Sequence, residues 1–406
     1  MALLTFLNIL NFADRYLLIS FSNVIISDLA LSNFQFTVLT GLIFSIFQST
    51  AGLFMGVLAD RVHRPRLIAT GLFVWSALTA ATGAAISFAQ LAVARALVGI
   101  GEATIGPAAV SLIAEAYPAR RRAAAISVFF LAVPIGMSLS YFLAATMGAA
   151  VGWRNCFYFM GALGVVVSLS LFMLSDTKRS TTTHTAHPTL AEFLTFLRGS
   201  RQLWLLLGGA VMISAHFGTL VLNQVWLVKE RGFTIVAAQQ FDGTLFLLGG
   251  IVGALTAGWL SDAWQARRAG GRLLFLTTAY ALAIPIALAY RFFTPHTAAF
   301  SVAAFLGSMS IMWLIGPALA SLQAIVPQRL RATGVAFFGL CTAVLGYVPG
   351  SLLVGYLADR FTADGMADPI TWAFVVAGSP GLLAVPFFWA AYRYERVDEV
   401  ASRSNG

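Results

Sequence analysis

Two side chains of opposite charge, Arg95 and Glu102, stand seven residues apart in a stretch that is otherwise apolar from Gln90 to Ala114. The stretch is long enough to cross a lipid bilayer as a helix. A charge near the bilayer centre costs about 2.5–3.5 kcal/mol on insertion scales. Residues seven apart share a helix face and lie about 10.5 Å apart along its axis. We therefore expect this face to point into a bundle interior or a watery cavity.

A second pair of charges, Asp14 and Arg15, lies inside the first apolar stretch, with Asn11 one turn earlier. Asp14 is about 17 Å from the start of its stretch, and Glu102 is about 18 Å from the start of its own. Both acids are therefore predicted near the middle of the membrane, with Arg95 nearer one surface. Asp14 and Arg15 differ by about 100° around the helix, so they need not pair with each other.

The composition places these charges in a polytopic membrane protein. Of the 406 residues, 59% are hydrophobic and 10% are charged, whereas a soluble domain carries about 25% charged residues. The net charge of +9 comes from short loops beside apolar segments and predicts no nucleic-acid partner. Cys156 and Cys341 are too far apart in sequence to suggest a disulfide or metal framework. The chain starts almost inside its first apolar segment, which leaves a longer natural N-terminus open.

Segment lengths and apolar runs predict an all-α protein with twelve transmembrane helices. We place these helices at Leu3–Ile26, Val38–Ala59, Leu67–Phe88, Gln90–Ala114, Ala123–Gly148, Asn155–Leu174, Leu203–Val228, Gln239–Ser261, Leu273–Phe292, Ala298–Ile325, Ala332–Tyr356 and Ile370–Tyr392.

The placement of Lys and Arg predicts the orientation. With the N-terminus inside, eighteen of the 25 Lys and Arg residues fall in inner loops, five in outer loops and two within spans. Such a bias is typical of cytoplasmic loops. We therefore expect both termini in the cytoplasm. The lack of an Asn-x-Ser/Thr sequon favours a bacterial inner membrane.

The longest loop divides the chain into two six-helix bundles, 1–174 and 203–393, followed by a cytoplasmic tail, 394–406. Within the linker, 175–202, the run Thr189-Leu190-Ala191-Glu192 is a capping-box pattern. Leu190, Phe193, Leu194 and Leu197 then form one helical stripe. We expect an amphipathic helix on the inner membrane surface, acting as a tether or, alternatively, as a regulator.

The two halves repeat. Gly56-Val57-Leu58-Ala59-Asp60-Arg61 after span 2 corresponds to Gly258-Trp259-Leu260-Ser261-Asp262 after span 8. Ile105-Gly106-Pro107-Ala108 in span 4 corresponds to Ile315-Gly316-Pro317-Ala318 in span 10. Parallel repeats of six helices predict two similar bundles around a central site near the midplane. That arrangement favours a transporter that works by alternating access over a simple channel.

At this point the sequence resembles the major facilitator superfamily. Gly56-x-Leu58-Ala59-Asp60-Arg61-x-x-Arg64 is similar to the superfamily's signature between helices 2 and 3. Within the superfamily it most resembles the spinster-type lipid transporters, through Asn11-x-x-Asp14-Arg15-Tyr16, Arg95-x-x-x-Gly99-x-Gly101-Glu102-Ala103 and Gly152-Trp153-Arg154. The resemblance implies export of lysophospholipids or sphingosine phosphate with proton coupling, and a cytoplasmic gate at Gly56, Asp60, Arg61 and Arg64.

The buried charges suggest how such coupling would work. Asp14 and Glu102 are predicted to be the proton-responsive groups, because a buried carboxyl group gains or loses a proton as its surroundings change. Arg15 and Arg95 would hold an anionic headgroup or pair with the acids, since guanidinium groups suit phosphate. The alternative is a salt-bridge network that only fastens span 1 to span 4.

Repeat arithmetic suggests the chemistry of the substrate. An offset of 210 residues pairs Arg95 with Phe305 and Glu102 with Met312, so the second half has apolar side chains where the first has charges. Phe305, Met309, Met312 and Trp313 are predicted to form an apolar cavity wall, although packing or lipid contact remains open for each. A charged wall and an apolar wall suit an amphiphile with a polar head and a tail.

His216, Asn223 and Asn11 are further candidates for polar groups in the cavity, with hydrogen-bonded packing as the alternative for His216. Gly249 and Gly253 form a GxxxG pair that predicts close helix contact.

No nucleophile motif, metal motif or phosphate loop occurs in the sequence, so we expect neither an enzyme nor a cofactor. The expected energy source is a proton gradient, and the expected state is a monomer. A proton-linked drug exporter, an uncoupled facilitator and a lipid channel or scramblase remain alternatives.

Overall fold

The computed structural model describes residues 1–173 and 190–404, and it is helical throughout these ranges, with no strands. It leaves out some side chains within helices, at 53, 56, 57, 59–61, 114, 115, 119–124, 190, 191, 332 and 396–404. The described residues hold 11 helices long and apolar enough to cross a bilayer. A twelfth helix, Arg64–Gly83, has 20 residues and sufficient length, but its first turn carries Arg64 and Arg66, which lowers its mean hydropathy.

The first six spans are interrupted at four places. Ser32 accepts a bond from Gln35 N as a side-chain cap of span 2, and Ser87 caps span 4 through Gln90 N. Spans 1, 3 and 6 are Ala2–Ser20, Arg64–Gly83 and Trp153–Leu171. Span 2 consists of Asn33–Thr37, a π-helix Val38–Ile43 and Phe44–Arg61, and span 4 consists of Phe88–Glu102 and Ile105–Ala116. Span 5 consists of Ala119–Phe130, Ala132–Leu143, a π-helix Ala144–Gly148 and Ala149–Val151. A short helix, Ser22–Asp28, follows span 1.

The last six spans repeat two of these interruptions, the break in span 4 and the π-helix in span 5. Span 7 consists of Arg201–Thr219, a 3₁₀ turn Leu220–Leu222 and Asn223–Lys229, span 8 is Ile235–Arg267, and span 9 is Gly271–Ala289 with a final 3₁₀ turn Tyr290–Phe292. Span 10 consists of Ala298–Trp313 and Ile315–Ile325, and span 11, after a 3₁₀ turn Gln328–Leu330, consists of Arg331–Cys341, a π-helix Thr342–Tyr347 and Val348–Ala363. Span 12 consists of Pro369–Gly378, a 3₁₀ turn Ser379–Leu383 and Ala384–Ser404. The predicted tail thus continues span 12 as helix as far as Ser404.

Spans 4 and 10 break at corresponding points. The first helix of span 4 ends at Glu102 and that of span 10 ends at Trp313. Pro107 and Pro317 follow each break, and neither can donate the backbone bond to the residue four positions earlier, Ala103 or Trp313. The predicted repeat is therefore visible as the same interruption in both halves, and the first break lies directly after the buried acid.

The chain forms two compact units whose limits differ from the two predicted bundles. One unit contains Met1–Thr183 and Val221–Leu247, and the other contains His184–Leu220 and Leu248–Gly406. The division therefore passes through spans 7 and 8. Hydropathy cannot reveal such a division, since it reports where a helix crosses the membrane and not which neighbours it packs against.

Each unit has its own apolar core. In the first unit, Trp75, Leu72 and Phe129 are almost fully buried together. In the second, Tyr280, Phe388 and Leu276 are the corresponding large buried side chains. The predicted GxxxG contact is present there, because a Cβ on Gly253 would lie 2.4 Å from the carbonyl oxygen of Met309. Only glycine permits spans 8 and 10 to approach this closely.

The linker contains the predicted helix, Leu190–Gly199, but its environment differs from the expectation. Phe193 and Leu197 are 1% and 4% exposed and belong to the core of the second unit. The ring centroid of Phe193 lies 5.4 Å from that of Phe337 in an edge-on contact. Phe193 and Leu197 therefore pack against protein, whereas Leu194 of the same stripe is 40% exposed. Residues 174–189 lie outside the described range.

Candidate functional site

Arg15 and Glu102 form an ion pair between spans 1 and 4, in the first unit. Arg15 donates from Nε at 3.1 Å and from Nη2 at 2.8 Å, both to Oε2 of Glu102. The Glu102 side chain is fully buried, whereas that of Arg15 is 23% exposed. The sequence predicted both residues as site candidates, and the structure brings them into direct contact.

Two amides lie beside this carboxylate. Gln48 of span 2 donates to Oε2 of Glu102 at 3.5 Å, and Asn11 of span 1 faces the same side chain. Oε1 of Glu102 is buried and has no hydrogen-bond partner among the described residues. Span 4 comes close to span 2 through Gly99, where a Cβ would lie 3.0 Å from the carbonyl oxygen of Phe44. Oε2 of Glu102 therefore accepts all the hydrogen bonds that the described residues donate to this carboxylate, and Oε1 accepts none of them.

Arg95 and Arg15 both lie against the ring of Phe44. Its guanidinium carbon is 4.4 Å from the centroid of the Phe44 ring, and that of Arg15 is 4.9 Å from the same centroid. Arg95 is 3% exposed. An aromatic face attracts a desolvated guanidinium group by roughly 2 kcal/mol. Phe44 therefore helps to hold two cations close to one buried acid.

Asp14 directly precedes Arg15 in span 1 and contacts span 3. Its Oδ2 accepts a 3.2 Å hydrogen bond from the indole nitrogen of Trp75, while Oδ1 is buried and has no hydrogen-bond partner in the part of the chain that the structure describes. Trp75 is itself fixed by span 4, because a Cβ on Gly101 would lie 2.8 Å from that of Trp75. Gly101 therefore places the donor of Asp14 while its neighbour, Glu102, bonds Arg15.

The chemistry available here is exchange of protons and anions. Two buried carboxyl groups each keep one oxygen that bonds to no described residue, and one of the two guanidinium groups beside them is partly exposed. A guanidinium group that loses its carboxylate partner, through protonation of the acid, is free to bind a phosphate or another carboxylate.

The residues predicted for an apolar wall lie in the second unit and differ in their contacts. Met309 packs on Gly253 of span 8. Trp313 donates to Oγ1 of Thr256 at 3.1 Å and packs edge-on against Phe275. Phe305 and Met312 are half-buried. Met309 and Trp313 thus join spans within their unit, and Phe305 and Met312 remain the better candidates for substrate contact.

The weaker polar candidates have defined partners. Nδ1 of His216 lies 3.2 Å from the carbonyl oxygen of Gly378 in span 12, and the residue is 4% exposed. This is the packing role that we considered as the alternative. Asn223, in the first unit, donates to both carboxylate oxygens of Asp242 at 3.0 Å.

Of the predicted gate residues, only Arg64 has a described side chain. It is 1% exposed and donates to Oγ of Ser111 in span 4 at 3.0 Å. Gly56, Asp60 and Arg61 lie on the described backbone of Phe44–Arg61, but their side chains are outside the description. Their gating role remains a prediction.

Three residues that contact the predicted site residues were not themselves predicted from the sequence. Gln48 and Trp75 contact the predicted acids from spans 2 and 3, and nothing in their own spans marks them out as special. Asp242 is 2% exposed, and its position near the start of a predicted span was a signal that could have identified it.

Comparison with known proteins supports the fold and the class. A sequence profile described as Major Facilitator Superfamily matches residues 4–348. An MFS-type efflux pump of Mycolicibacterium smegmatis is 28% identical over 391 residues, which cover 95% of this chain and 91% of that protein. A sphingosine-1-phosphate transporter of Danio rerio is 25% identical over 412 residues, which cover 95% and 80%.

Solved structures share the same architecture. A bacterial homolog of the human lysosomal transporter Spinster, crystallised in an inward-facing and unoccupied conformation, has a TM-score of 0.78 and 23% identity, with 98% of this chain and 95% of that chain covered. At this identity the likeness concerns the fold. The profile match spans most of the chain, and so this multi-pass membrane protein belongs to the Major Facilitator Superfamily of transporters.

Proposed function

We propose that this protein is a proton-coupled secondary transporter of an amphiphilic, lipid-like substrate of the lysophospholipid or sphingoid-phosphate type. The single observation that carries the proposal is the ion pair of the fully buried Glu102 with the partly exposed Arg15. A buried carboxylate loses its charge on protonation, so the bond to Arg15 weakens at the moment a proton arrives. The same event makes the guanidinium group available to an anionic headgroup.

Asp14 is the second proton site in this proposal. It shares span 1 with Arg15, accepts a hydrogen bond from the indole of Trp75 and also interacts with Thr79 of span 3. Protonation of Asp14 leaves the Oδ2 bond possible and supplies a donor at Oδ1, which has no partner within the described part of the chain. The two acids therefore have different roles: Glu102 controls Arg15, and Asp14 carries a proton while it stays bonded to Trp75.

The lipid-like substrate is supported by two observations. Span 4 places Arg95 and Glu102 where span 10 has Phe305 and Met312, both half-buried. A relative with 25% identity is named a sphingosine-1-phosphate transporter. Arg15 and Arg95 would hold the phosphate, and the apolar side chains of span 10 would contact the tail. We further propose cytoplasmic termini, a bacterial inner membrane and a monomer, as the distribution of basic residues and the fold suggest.

A second candidate is proton-linked export of small amphiphilic drugs. A specific observation favours it, namely the 28% identity to an MFS-type efflux pump over 95% of this chain. The ion pair would serve proton coupling in either case, while the apolar residues of span 10 would take a shorter ring system.

The test is movement of a fluorescent lysophosphatidylcholine into proteoliposomes, with and without an imposed pH gradient. The wild type, Glu102→Gln and Asp364→Asn are compared, since Asp364 is an exposed loop acid paired with Arg360 and controls for loss of one carboxylate. We expect gradient-stimulated movement in the wild type and the control but not in Glu102→Gln. Gradient stimulation that survives in Glu102→Gln would refute the role of Glu102. Transport of drug-like cations without lysolipid transport would favour the second candidate.

A further inference from the structure

The side chains of Phe44 and Gln48 lie one helix turn apart on span 2 and face span 4. The guanidinium carbon of Arg95 is 4.4 Å from the centroid of the Phe44 ring, and Gln48 donates to Oε2 of Glu102 at 3.5 Å. Residues 95, 99 and 102 are four and three positions apart, so they share one face of span 4. Gly99 stands between the two charges, and a Cβ there would lie 3.2 Å from the backbone nitrogen of Gln48. The two helices therefore meet in one register, with the ring opposite the cation and the amide opposite the acid.

A π-helix gives Phe44 its orientation. The π-helix Val38–Ile43 ends directly before Phe44, and span 2 continues as an α-helix to Arg61. A π-turn holds one residue more than an α-turn, so the residues after it are rotated by about 100° relative to a continuous α-helix. Such turns are rare and occur frequently at functional sites. Without the extra residue, span 2 would turn the Phe44 ring away from Arg95.

The Phe44 ring also has its own place in the protein core. Phe44 is 4% exposed and belongs to the buried core of the first unit, together with Trp75 and Val98. The apolar contacts of this core do not depend on charge, so they are the same whether Glu102 is ionised or neutral. The ring is therefore a fixed point beside an acid whose charge can change.

Arg15 lies against two rings in addition to its bonds with Glu102. Its guanidinium carbon is 4.9 Å from the centroid of Phe12 and 4.9 Å from that of Phe44. Phe12 precedes Arg15 by three residues in the same helix, so it moves with Arg15. Phe44 belongs to another helix and also contacts Arg95. Of these two ring contacts, the one with Phe44 is the one that can keep both cations together once Glu102 is neutral.

The amide of Gln48 suits both charge states of the acid. It donates to Oε2 while Glu102 is a carboxylate. An amide group also carries an acceptor oxygen, so it can accept from the O–H of a protonated carboxyl group. A hydrogen bond between spans 2 and 4 is therefore available in either state, and proton uptake does not require the ring of Phe44 to leave its register.

The charged groups that the described residues direct at Glu102 come from two spans. Arg15 and Asp14 lie on span 1, and Arg95 lies on span 4 itself. Span 2 contributes the neutral amide of Gln48. Once Glu102 is neutral, the cations in this group outnumber the remaining acid two to one, which favours an anion as their next partner.

We propose that Phe44 is a positioning residue: it keeps Arg15 beside Arg95 when Glu102 takes up a proton, so that the two guanidinium groups form one anion-binding site. This inference rests on the proposed function and deepens it, because it states what holds the released cation in place. The face of an aromatic ring attracts a guanidinium group, and the attraction is strongest where water is excluded, as it is at the buried Phe44.

A double-mutant cycle tests the contact between Phe44 and Arg15 without any substrate. It is made in the Glu102→Gln protein, whose amide stands for the neutral acid. Phe44→Leu is combined either with the native Arg15 or with Arg15→Met, and the unfolding equilibrium constant is measured in mixtures of detergent and dodecyl sulfate. We expect Phe44→Leu to raise this constant roughly tenfold more when Arg15 is present, because a desolvated contact between a cation and a ring is then lost.

The matched control is Phe129→Leu, which changes another buried phenylalanine of the same core, with its ring against that of Phe130. Its cost should be the same with Arg15 and with Arg15→Met. Equal costs of Phe44→Leu in the two backgrounds would overturn the proposal, because Phe44 would then be a packing residue. The same dependence on Arg15 for Phe129→Leu would also overturn it, since the effect would then be general to the fold.

Binding of dodecyl phosphate to the Glu102→Gln protein is the second readout. Phe44→Leu should weaken this binding roughly tenfold, because it removes the contact that holds both cations. Phe12→Leu removes the other ring, at the same distance from Arg15, and should weaken binding by less than about threefold, since the site keeps its stronger, buried ring. Equal losses in the two variants would overturn the proposal, and so would absence of binding to the Glu102→Gln protein itself.

Fluorination of the Phe44 ring separates its shape from its electrostatics. Pentafluorophenylalanine at position 44 keeps the ring in the core but removes the negative charge of its face. Its effect on dodecyl phosphate binding should resemble that of Phe44→Leu, while native affinity in the fluorinated protein would refute a role through the cations.

These readouts separate the inference from the proposed function, because neither uses a lysolipid or a proton gradient. Failure of lysolipid transport would leave the coupling between Phe44 and Arg15 standing. Gradient-stimulated transport of lysophosphatidylcholine in a protein without that coupling would refute the role of Phe44 and leave the proposed function intact.

Discussion

Arg15 donates two hydrogen bonds to a single oxygen of Glu102, at 3.1 and 2.8 Å, and the other oxygen has no partner in the described ranges of the chain. The two side chains differ in exposure, 23% for Arg15 and 0% for Glu102. The acid therefore depends on its partner more than the cation does. Arg15 also lies against the rings of Phe12 and Phe44, which stabilise a guanidinium group whether or not the acid is charged.

This asymmetry predicts unequal costs for removing either partner. Arg15→Met leaves a buried carboxylate without its main donor, for which a loss of about 3–5 kcal/mol is typical. Glu102→Gln leaves a partly hydrated cation on two aromatic rings and should cost clearly less. Thermal unfolding of both variants in detergent at neutral pH measures the difference. Equal losses would mean that the pair acts as a simple fastener.

The close packing of spans 3 and 4 should be disturbed by an alanine at Gly101 but not by an alanine at Gly106. A Cβ on Gly101 would lie 2.8 Å from that of Trp75 and 3.1 Å from its backbone nitrogen, whereas a Cβ on Gly106 would meet nothing within 4 Å. We expect Gly101→Ala to cost about 1–3 kcal/mol through overpacking and to disturb the Trp75 donor of Asp14. Gly106→Ala, in the next helix of the same span, should change stability by less than about 1 kcal/mol.

Both effects are measurable as shifts of the unfolding midpoint. The fluorescence of Trp75 gives a second signal for Gly101→Ala. Because the chain has nine tryptophans, it is obtained as the difference between spectra recorded with and without Trp75→Phe. A stable Gly101→Ala protein with unchanged fluorescence would show that span 3 can withdraw from span 4 at little cost.

The fold was predictable because apolar segments and repeats can be recognised along the sequence without knowing which helices are neighbours. Apolar run length predicted twelve spans, and the structure describes 11 helices long and apolar enough to cross a bilayer together with Arg64–Gly83, which is long enough. The Ile-Gly-Pro-Ala repeat indicated the two halves but did not predict the helix breaks that precede it in spans 4 and 10. The environment of the linker helix was not predictable. Its stripe of Phe193 and Leu197 looks the same whether it faces lipid or the core of the second unit, and only the position of Phe337 decides between them.

The candidate site was predictable where charge in an apolar segment marks a residue. Arg15, Arg95, Asp14 and Glu102 were found in this way. The choice of partner was not predictable, because helical spacing places residues on faces of their own helix and says nothing about which other helix packs there. Trp75 and Gln48 are ordinary residues of spans 3 and 2, and they acquire their roles only through contacts with Asp14 and Glu102.

Outside the spans, Asp28 should make stability depend on pH. The hydrogen bond from Arg154 holds the pKa of Asp28 below its ordinary value, with a smaller contribution from the Trp153 indole. A carboxyl group whose pKa is lower in the folded state adds stability above its unfolded pKa, and this stability is lost as the pH falls through the folded value. We therefore expect a loss of stability below about pH 4.

The size of this effect should be small, because the Asp28 side chain is 41% exposed and exposed ion pairs contribute at most about 1 kcal/mol. Thermal unfolding of the wild type and of Asp28→Asn between neutral and acidic pH measures it. The variant should be less stable at neutral pH and converge with the wild type in acid. A constant difference across the range would show that Asp28 acts through shape and not through its charge.

If Phe305 and Met312 contact the acyl tail of the substrate, transport should depend on the length of that tail through span 10. Both side chains are half-buried, whereas Met309 and Trp313 are engaged with spans 8 and 9 and would disturb packing if changed. We expect Phe305→Asn and Met312→Asn to reduce transport of lysophosphatidylcholines with long acyl chains more than that of short ones, because each methylene in apolar contact contributes about 0.8 kcal/mol. Val302→Asn, at a position 59% exposed, controls for a polar residue on the same span. Equal losses for all chain lengths, or the same length dependence in Val302→Asn, would place the tail elsewhere in the protein.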